Sequence, residues 1–160
     1  MKKICICIVL PSHWSNTMGG AEYQVKLIVK ALIEAGNFDI HYLCRNADFK
    51  HMEGGYSLHS VGSSIALAQY AKFTDSKNLL RALRSIDPDV VYQRNGGAYT
   101  GVCAYYAKKH NKPFFWHVAH EKDISRIDLH QLHNPVKMID KLMLVYGIKN
   151  AKTTIAQSDE

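Results

Sequence analysis

A continuous apolar run at residues 4–10 constrains the fold more than any other feature of the chain. The run is rich in isoleucine and valine, does not alternate with polar residues, and ends at Pro11. Such a strand is typical of the interior of a parallel sheet, where helices cover both faces. It is too short to span a bilayer and no small-residue cleavage site follows it, so a buried first strand in a cytoplasmic protein is predicted.

The pattern after this strand alternates between helices and strands. Apolar residues at helical spacing predict a helix over residues 21–35 that stops at Gly36-Asn37, and residues 38–44 form the next predicted strand. Further strands are predicted at residues 56–61, 89–93, 112–118 and 153–157, and further helices at 63–73, from 75 to 86, after Gly97 and from Asn134. This alternation predicts a Rossmann-like, doubly wound, mainly parallel sheet of about six or seven strands in a three-layer α/β/α arrangement.

Three details of these helices can be checked individually. Asp75 is placed to cap the helix that ends at Asp87-Pro88. The helix after Gly97 is predicted to carry Val102, Tyr105 and Tyr106. Asn134 and Pro135 form a favourable helix start, and the buried stripe of that helix is predicted at Val136, Ile139, Met143 and Tyr146.

Length and composition indicate one core. With 160 residues and 47% hydrophobic content, the chain suits a single α/β domain over residues 1–160. No helix follows the last predicted strand, although a strand in a doubly wound sheet needs cover on both faces. We therefore expect a further domain that this chain does not contain.

The formal net charge of +6 favours anionic partners such as phosphorylated ligands or an anionic membrane surface. The basic residues are scattered and form no Arg/Lys block, so a simple solvated surface explains them equally well and no nucleic-acid partner is expected. Cys5, Cys7, Cys44 and Cys103 lack the spacing of zinc sites and are expected to be reduced core thiols. His117-x-x-His120 and His130-x-x-His133 invite a metal hypothesis, but no third ligand is defined and no metal is expected.

Two loops after strands carry paired glycines. Gly19-Gly20 precedes a predicted helix, and the first backbone amides of a helix favour an anion. The two glycines would allow a phosphate or sugar to approach closely. A simple turn into the helix would have the same sequence. The segment matches neither a dinucleotide-binding nor a P-loop motif. Arg94 and Asn95 precede a second glycine pair and suit polyhydroxylated or phosphorylated ligands, although a plain helix cap is also possible.

A third loop follows the strand at residues 112–118 and contains His120. Because ligands of parallel α/β sheets bind beyond the carboxyl ends of the strands, His120 is placed to contact a sugar hydroxyl or a phosphate. His117 lies within the strand and is expected to be a hydrogen-bonded core histidine.

Taken in order, these segments resemble the amino-terminal domain of retaining glycosyltransferases of family 4, which have the GT-B fold. The resemblance spans essentially the whole chain and rests on Pro11-Ser12 with Gly19-Gly20-Ala21-Glu22, residues 87–92, residues 113–120, and residues 146–151 leading to 156–160. The fold is accordingly expected to be the N-terminal half of a GT-B structure. Where the family usually has His-Asp or His-Gly after the fifth strand, this chain has His120-Glu121, and His117 offers a competing alignment.

The resemblance implies roles for particular residues. Gly19 and Gly20 would approach the donor diphosphate and the transferred sugar. His120 matches the family's active-site histidine, which contacts that sugar. The acceptor side would be formed around Trp14, Arg94, Asn95 and Tyr99.

The implied activity is transfer of a sugar from a nucleotide-sugar to a glycan or lipid-linked acceptor in polysaccharide biosynthesis, with retention of configuration and without metal or cofactor. The donor-binding domain would be the missing partner, so the isolated chain is expected to be inactive. Lys137, Lys141 and Lys149 suggest peripheral contact with the inner face of a membrane. Two alternatives remain: a stand-alone nucleotide or phosphosugar binding module, and another Rossmann-like enzyme such as an oxidoreductase or epimerase.

Overall fold

The computed structural model describes residues 2–47, 54–62, 68–119 and 134–156. These residues contain strands β1 (Ile4–Val9), β2 (Phe38–Cys44), β3 (Ser57–Ser60), β4 (Val90–Arg94), β5 (Phe114–His117) and β6 (Thr153–Ile155). The helices are α1 (Gly20–Ala35), α2 (Ala68–Ile86), α3 (Ala98–His110) and α4 (Pro135–Asn150).

The described strands form one parallel sheet with the order β3-β2-β1-β4-β5-β6. β1 and β4 lie side by side at the centre, and the chain winds outward from them in both directions. Ile8 of β1, for example, pairs with Tyr42 of β2 on one side and with Tyr92 of β4 on the other. The predicted doubly wound, Rossmann-like parallel sheet is confirmed.

Two apolar clusters cover the two faces of the sheet. Alternate residues of β1 divide between them: Cys7 and Val9 belong to one cluster, and Ile8 belongs to the other. Helix α1 covers the second face through Val25 and Val29, whereas α2, α3 and α4 contribute to the first. The arrangement is the expected three-layer α/β/α architecture. The second half of β1 is buried on both faces, as its apolar run predicts, whereas Ile4 at its start is 45% exposed.

The prediction that Asp75 begins a helix is wrong, because α2 runs from Ala68 to Ile86 and Asp75 lies inside it. The Asp75 carboxylate is buried and accepts a hydrogen bond from the Tyr99 hydroxyl at 3.1 Å. It also forms an ion pair with Arg45 at 3.3 Å. With its charge balanced by tertiary contacts, Asp75 does not need to lie at a helix end.

Helix α3 carries Val102 and Tyr106 in the core, whereas Tyr105 is 41% exposed. In α4, the assignment of Ile139 to the buried stripe is wrong, because Ile139 is 40% exposed. The buried residues of α4 are Leu144 and Gly147 instead. Its start is as predicted, since the Asn134 side chain accepts hydrogen bonds from the first-turn amides and Pro135 follows.

Helices α3 and α4 approach each other closely through glycine. A Cβ atom on Gly147 would lie 2.8 Å from the backbone carbonyl carbon of Thr100, and one on Gly101 would lie 2.7 Å from the carbonyl oxygen of Met143. The Asp140 carboxylate of α4 also accepts a hydrogen bond of 2.8 Å from the Ala98 amide at the start of α3. Helix α4 therefore fixes the start of α3, which follows the loop after β4.

Candidate active site

A cleft of about 300 Å³ opens at the carboxyl ends of the central strands. It is lined by Gly19, Gly20, Ala21, Glu22, Gln24, Arg94, Asn95 and Ala119. In the observed strand order the connections after β1 and β4 lead to opposite sides of the sheet, so the cleft lies at the topological switch point. Ligands of open α/β sheets bind at this position.

The glycine loop is held by Glu22. Gly19 precedes the first turn of α1 in extended conformation, and its amide donates to the Glu22 carboxylate at 3.2 Å. The Ser12 hydroxyl donates to the same carboxylate at 2.5 Å. Glu22 thus holds the loop in place. The first amides of α1 have no acceptor within the helix, and the first of them belongs to Gly20, which lines the cleft.

Arg94 brings a positive charge to the opposite wall. It ends β4, pairs in register with His117 of β5, and is only 1% exposed. Its Nη1 atom donates to His117 Nε2 at 2.8 Å. Because a guanidinium only donates hydrogen bonds, a ring nitrogen of His117 must be unprotonated to accept.

The charge state of His117 follows from the same contact. Burial, and secondarily the Arg94 charge, lower the pKa of His117 to about 4. At neutral pH the ring is uncharged, and its Nδ1 atom lies 2.6 Å from the Tyr92 hydroxyl. Both ring nitrogens have partners, as expected for a core histidine.

Three buried polar atoms at the end of β4 lack a hydrogen-bond partner among the described residues: Gln93 Oε1, Arg94 Nε and Asn95 Oδ1. An unsatisfied buried polar group costs about 1–3 kcal/mol. Asn95 itself is held in the left-handed region with a φ of 73°, and its carbonyl accepts from Trp116 Nε1 at 3.0 Å. Since Arg94 and Asn95 line the cleft, a polar ligand there is within reach of groups that need partners.

Trp14 and Tyr99 lie beneath the loops rather than in the cleft lining. The Trp14 ring is 6% exposed and packs on His13 with ring centroids 4.0 Å apart, beside Tyr42 and Tyr56. The Tyr99 hydroxyl points to buried Asp75. Their assignment to the acceptor side stays a prediction.

His120 lies outside the described residues, as do His130 and His133, so their predicted or alternative roles stay untested. Ala119, the residue before His120, lines the cleft. All four cysteines are free thiols. Within the part of the chain that the structure describes, no helix is long and apolar enough to cross a membrane.

Sequence reasoning did not assign Glu22 or Gln24 to the site and did not single out Gln93. The role of Glu22 could have been predicted from its position, three residues after the N-cap residue Gly19. A glutamate at this position commonly accepts a hydrogen bond from the N-cap amide. Gln93 gave none, since its burial depends on how β4 sits between β1 and β5.

The fold and the switch-point cleft define a Rossmann-like domain of the GT-B type. The sequence pattern of Glycosyltransferase Family 4 matches residues 18–160, and the chain belongs to this family. The resemblance to its amino-terminal domain is thereby confirmed. No curated protein sequence matches the chain.

Solved structures with a similar fold include UDP-GlcNAc 2-epimerase from Methanocaldococcus jannaschii, at 14% identity and a TM-score of 0.57 over 98% of this chain and 40% of that one. The S. aureus protein MnaA, solved with UDP, has 14% identity and a TM-score of 0.61 over 98% of this chain and 38% of its own. A ugt transferase from Siraitia grosvenorii, in complex with UDP, has 13% identity and a TM-score of 0.50 over 72% of this chain and 24% of that one. The chain therefore spans less than half the length of these proteins.

Proposed function

We propose that the chain is the acceptor-side half of an enzyme that transfers a sugar from a nucleotide-sugar to a glycan or lipid-linked acceptor, with retention at the anomeric carbon. Family membership supports sugar transfer in general. The observation that carries the assignment to this site is the cleft itself, where a glycine-lined helix start faces buried Arg94 and half-buried Asn95, each with an unsatisfied polar atom.

In this proposal the cleft stabilises the charge that develops on the leaving diphosphate. The first amides of α1 and the positive end of its dipole favour an anion beside Gly19 and Gly20. Arg94 adds a fixed positive charge in a position where His117, being neutral, does not compete with it. Charge stabilisation of this kind needs no metal or other cofactor from the chain.

His120 is proposed to contact the transferred sugar, since it directly follows Ala119 in the cleft wall. On the acceptor side, Arg94 and Asn95 would donate hydrogen bonds to hydroxyl or phosphate groups. Trp14 and Tyr99 would act by holding the two loops in place from below.

The complete reaction is proposed to need a second, donor-binding domain. The chain covers 40% of the length of the Methanocaldococcus jannaschii structure and 38% of the length of MnaA. A cleft open on one side cannot hold the donor at attack distance or exclude water from it. We propose the cytoplasm as the location, with polysaccharide biosynthesis as the process and no role for nucleic acid.

Gly20→Ala tests the site, because Gly20 lines the cleft and a Cβ atom there meets nothing within 4 Å, so the change adds a methyl group at the site without a clash. UDP, GDP and ADP would be titrated into the isotope-labelled chain while amide resonances are followed by NMR. A nucleoside diphosphate is expected to shift resonances around residues 19–22 and the Arg94 Nε–H resonance. Gly20→Ala should weaken this binding about tenfold, equivalent to about 1.4 kcal/mol.

Gly54→Ala is the matched control, since a Cβ atom there also meets nothing within 4 Å and Gly54 does not line the cleft. Binding at the level of the unchanged chain is expected for this variant. Equal affinities of the two alanine variants, or shifts confined to other surfaces, would contradict the site assignment.

Epimerisation is a second candidate, because the similar fold from Methanocaldococcus jannaschii belongs to a UDP-GlcNAc 2-epimerase. The two activities differ in their need for an acceptor. In a protein that contains both domains, transfer releases the nucleotide only when an acceptor is present, whereas epimerisation changes the nucleotide-sugar without any acceptor. Acceptor-independent formation of a new nucleotide-sugar would favour the epimerase; a stand-alone binding module would give neither product.

Peripheral membrane contact is proposed for α4. Met138, Ile139 and Leu142 are 38%, 40% and 53% exposed, and Lys137 and Lys141 belong to the same helix. Apolar and basic side chains together favour an anionic lipid surface. Co-sedimentation at low salt should be stronger with anionic than with neutral vesicles; equal sedimentation would refute the contact.

A further inference from the structure

Three metal-ligating side chains converge near the amino ends of the two strands β1 and β2. Cys5 and Asp39 are partners in the parallel register, and His41 follows two residues later on the same face. One ligand atom from each residue lies within 4.8 Å of the others. The cluster is at the opposite end of the strands from the cleft and takes no part in the proposed transfer.

The spacing of two of these atoms matches that of two ligands of one ion. His41 Nε2 lies 3.4 Å from Asp39 Oδ2. Nitrogen and oxygen ligands at about 2.0–2.2 Å from a tetrahedral ion are roughly 3.3 Å apart. The Asp39 side chain is 59% exposed and Cys5 is half-buried, so both can rotate toward a common centre.

The other nitrogen of His41 is already engaged. His41 Nδ1 lies 2.9 Å from Nε2 of His59 on β3, and the two rings stack with centroids 5.2 Å apart. A histidine that binds a metal through one nitrogen commonly donates its other N–H to a neighbour, which fixes the tautomer and the ring orientation. His59 can accept that hydrogen bond and leave His41 Nε2 free to bind an ion.

The donor set selects the class of ion. A thiolate, a carboxylate and a neutral imidazole carry a charge of −2 and combine sulfur, oxygen and nitrogen ligands, a set that suits zinc and similar borderline ions rather than Mg²⁺ or Ca²⁺. Three protein ligands leave one tetrahedral position for water. The ligands come from two adjacent strands, so ion binding would also stabilise the paired sheet.

We propose that Cys5 Sγ, the Asp39 carboxylate and His41 Nε2 bind one Zn²⁺-type ion, and that His59 is a positioning residue for His41. Cobalt is the probe, because Co²⁺ replaces zinc and its spectrum reports the ligands. Titration of the metal-free chain with Co²⁺ is expected to reach one equivalent, with near-ultraviolet thiolate-to-cobalt absorption and the visible bands of a tetrahedral ion. Added Zn²⁺ should remove both signals.

Variants test the individual ligands. Cys5→Ser should abolish the thiolate absorption, and Asp39→Asn, on an exposed side chain, should weaken Co²⁺ binding at least tenfold with an unchanged circular dichroism spectrum. His59→Gln should weaken binding about 10- to 100-fold without changing the stoichiometry. The control His110→Gln changes an exposed histidine of α3 and should bind Co²⁺ as the unchanged chain does.

The proposal is overturned if equimolar Co²⁺ gives no thiolate absorption, or if that absorption survives Cys5→Ser. It is equally overturned if Asp39→Asn and His110→Gln bind Co²⁺ with the same affinity. Unchanged affinity in His59→Gln would remove the positioning role of His59.

Discussion

At the scale of single residues, the contact between Arg94 and His117 links a cleft residue to the pH dependence of the folding stability. The folded state holds His117 neutral with a pKa of about 4, below the ordinary value of 6.5. Between these two pH values the unfolded chain binds more protons than the folded chain, so stability rises with pH across this interval. Acidification from about 6.5 to about 4 should therefore destabilise the fold.

Urea denaturation at several pH values measures this effect. His117→Gln removes one titrating group and should reduce the slope in that interval, although it also lowers stability at neutral pH. Some slope should remain, because burial also lowers the pKa of His59. His110→Gln should keep the original slope. A slope that is the same in both variants would show that His117 does not titrate as described.

The sequence could predict part of this residue-level picture. The position of His117 within the fifth strand predicted a hydrogen-bonded histidine, and both of its ring nitrogens have partners. The placement of His120 stays a prediction, because it lies outside the described residues. The partners of His117 could not be predicted, because they depend on the register between β4 and β5. This register brings Arg94 next to His117, which lies 23 positions later in the chain. The same reason explains why Gln93 was not singled out.

At the scale of helices, the α3–α4 contact depends on the absence of side chains at Gly101 and Gly147. Alanine in a helix interior is intrinsically about 1 kcal/mol more favourable than glycine. Gly147→Ala should nevertheless destabilise the chain by about 1–3 kcal/mol, because its methyl group would meet the Thr100 backbone at 2.8 Å. Urea denaturation would measure the change.

Gly20→Ala is the control in the same assay, since its added Cβ has open space and should leave stability nearly unchanged. If Gly147→Ala is as stable as Gly20→Ala, the helices can separate without cost and the close contact is not structurally important.

Helix and strand positions could largely be predicted from apolar spacing and from the stops at Gly36 and Asp87-Pro88. The wrong predictions concern residues whose position or burial depends on tertiary contacts. Asp75 is stabilised inside α2 by Arg45 and Tyr99, which are distant in the chain. Ile139 is exposed because α4 turns Leu144 and Gly147 toward α3 instead.

At the scale of the whole molecule, the proposed need for a donor-binding domain leads us to expect that this chain folds without catalysing sugar transfer. Incubation with nucleotide-sugars and candidate acceptors should give no acceptor-dependent nucleotide release. In a protein that also contains the donor-binding domain, His120→Ala should reduce turnover, whereas the same change in this chain should leave folding nearly intact. Sustained turnover by the isolated chain would show that the donor site lies within these residues.

The doubly wound sheet itself was predictable from the order of elements, because right-handed crossovers leave few arrangements for alternating strands and helices. The contents of the cleft were only partly predictable. Gly19, Gly20, Arg94 and Asn95 follow from their positions after β1 and at the end of β4, whereas the burial of Trp14 depends on its packing against three other aromatic rings.

The central position of β1 also affects how the chain folds while it is being synthesised. One edge of β1 pairs with β2 soon after synthesis, but the other edge waits for β4, as the hydrogen bond between Cys5 and Asp89 spans 84 positions. At about 5–20 residues per second, that delay is roughly 4–17 s. We therefore expect the apolar strand β1 of the nascent chain to keep an unpaired edge throughout this period, when it is exposed to association with other chains.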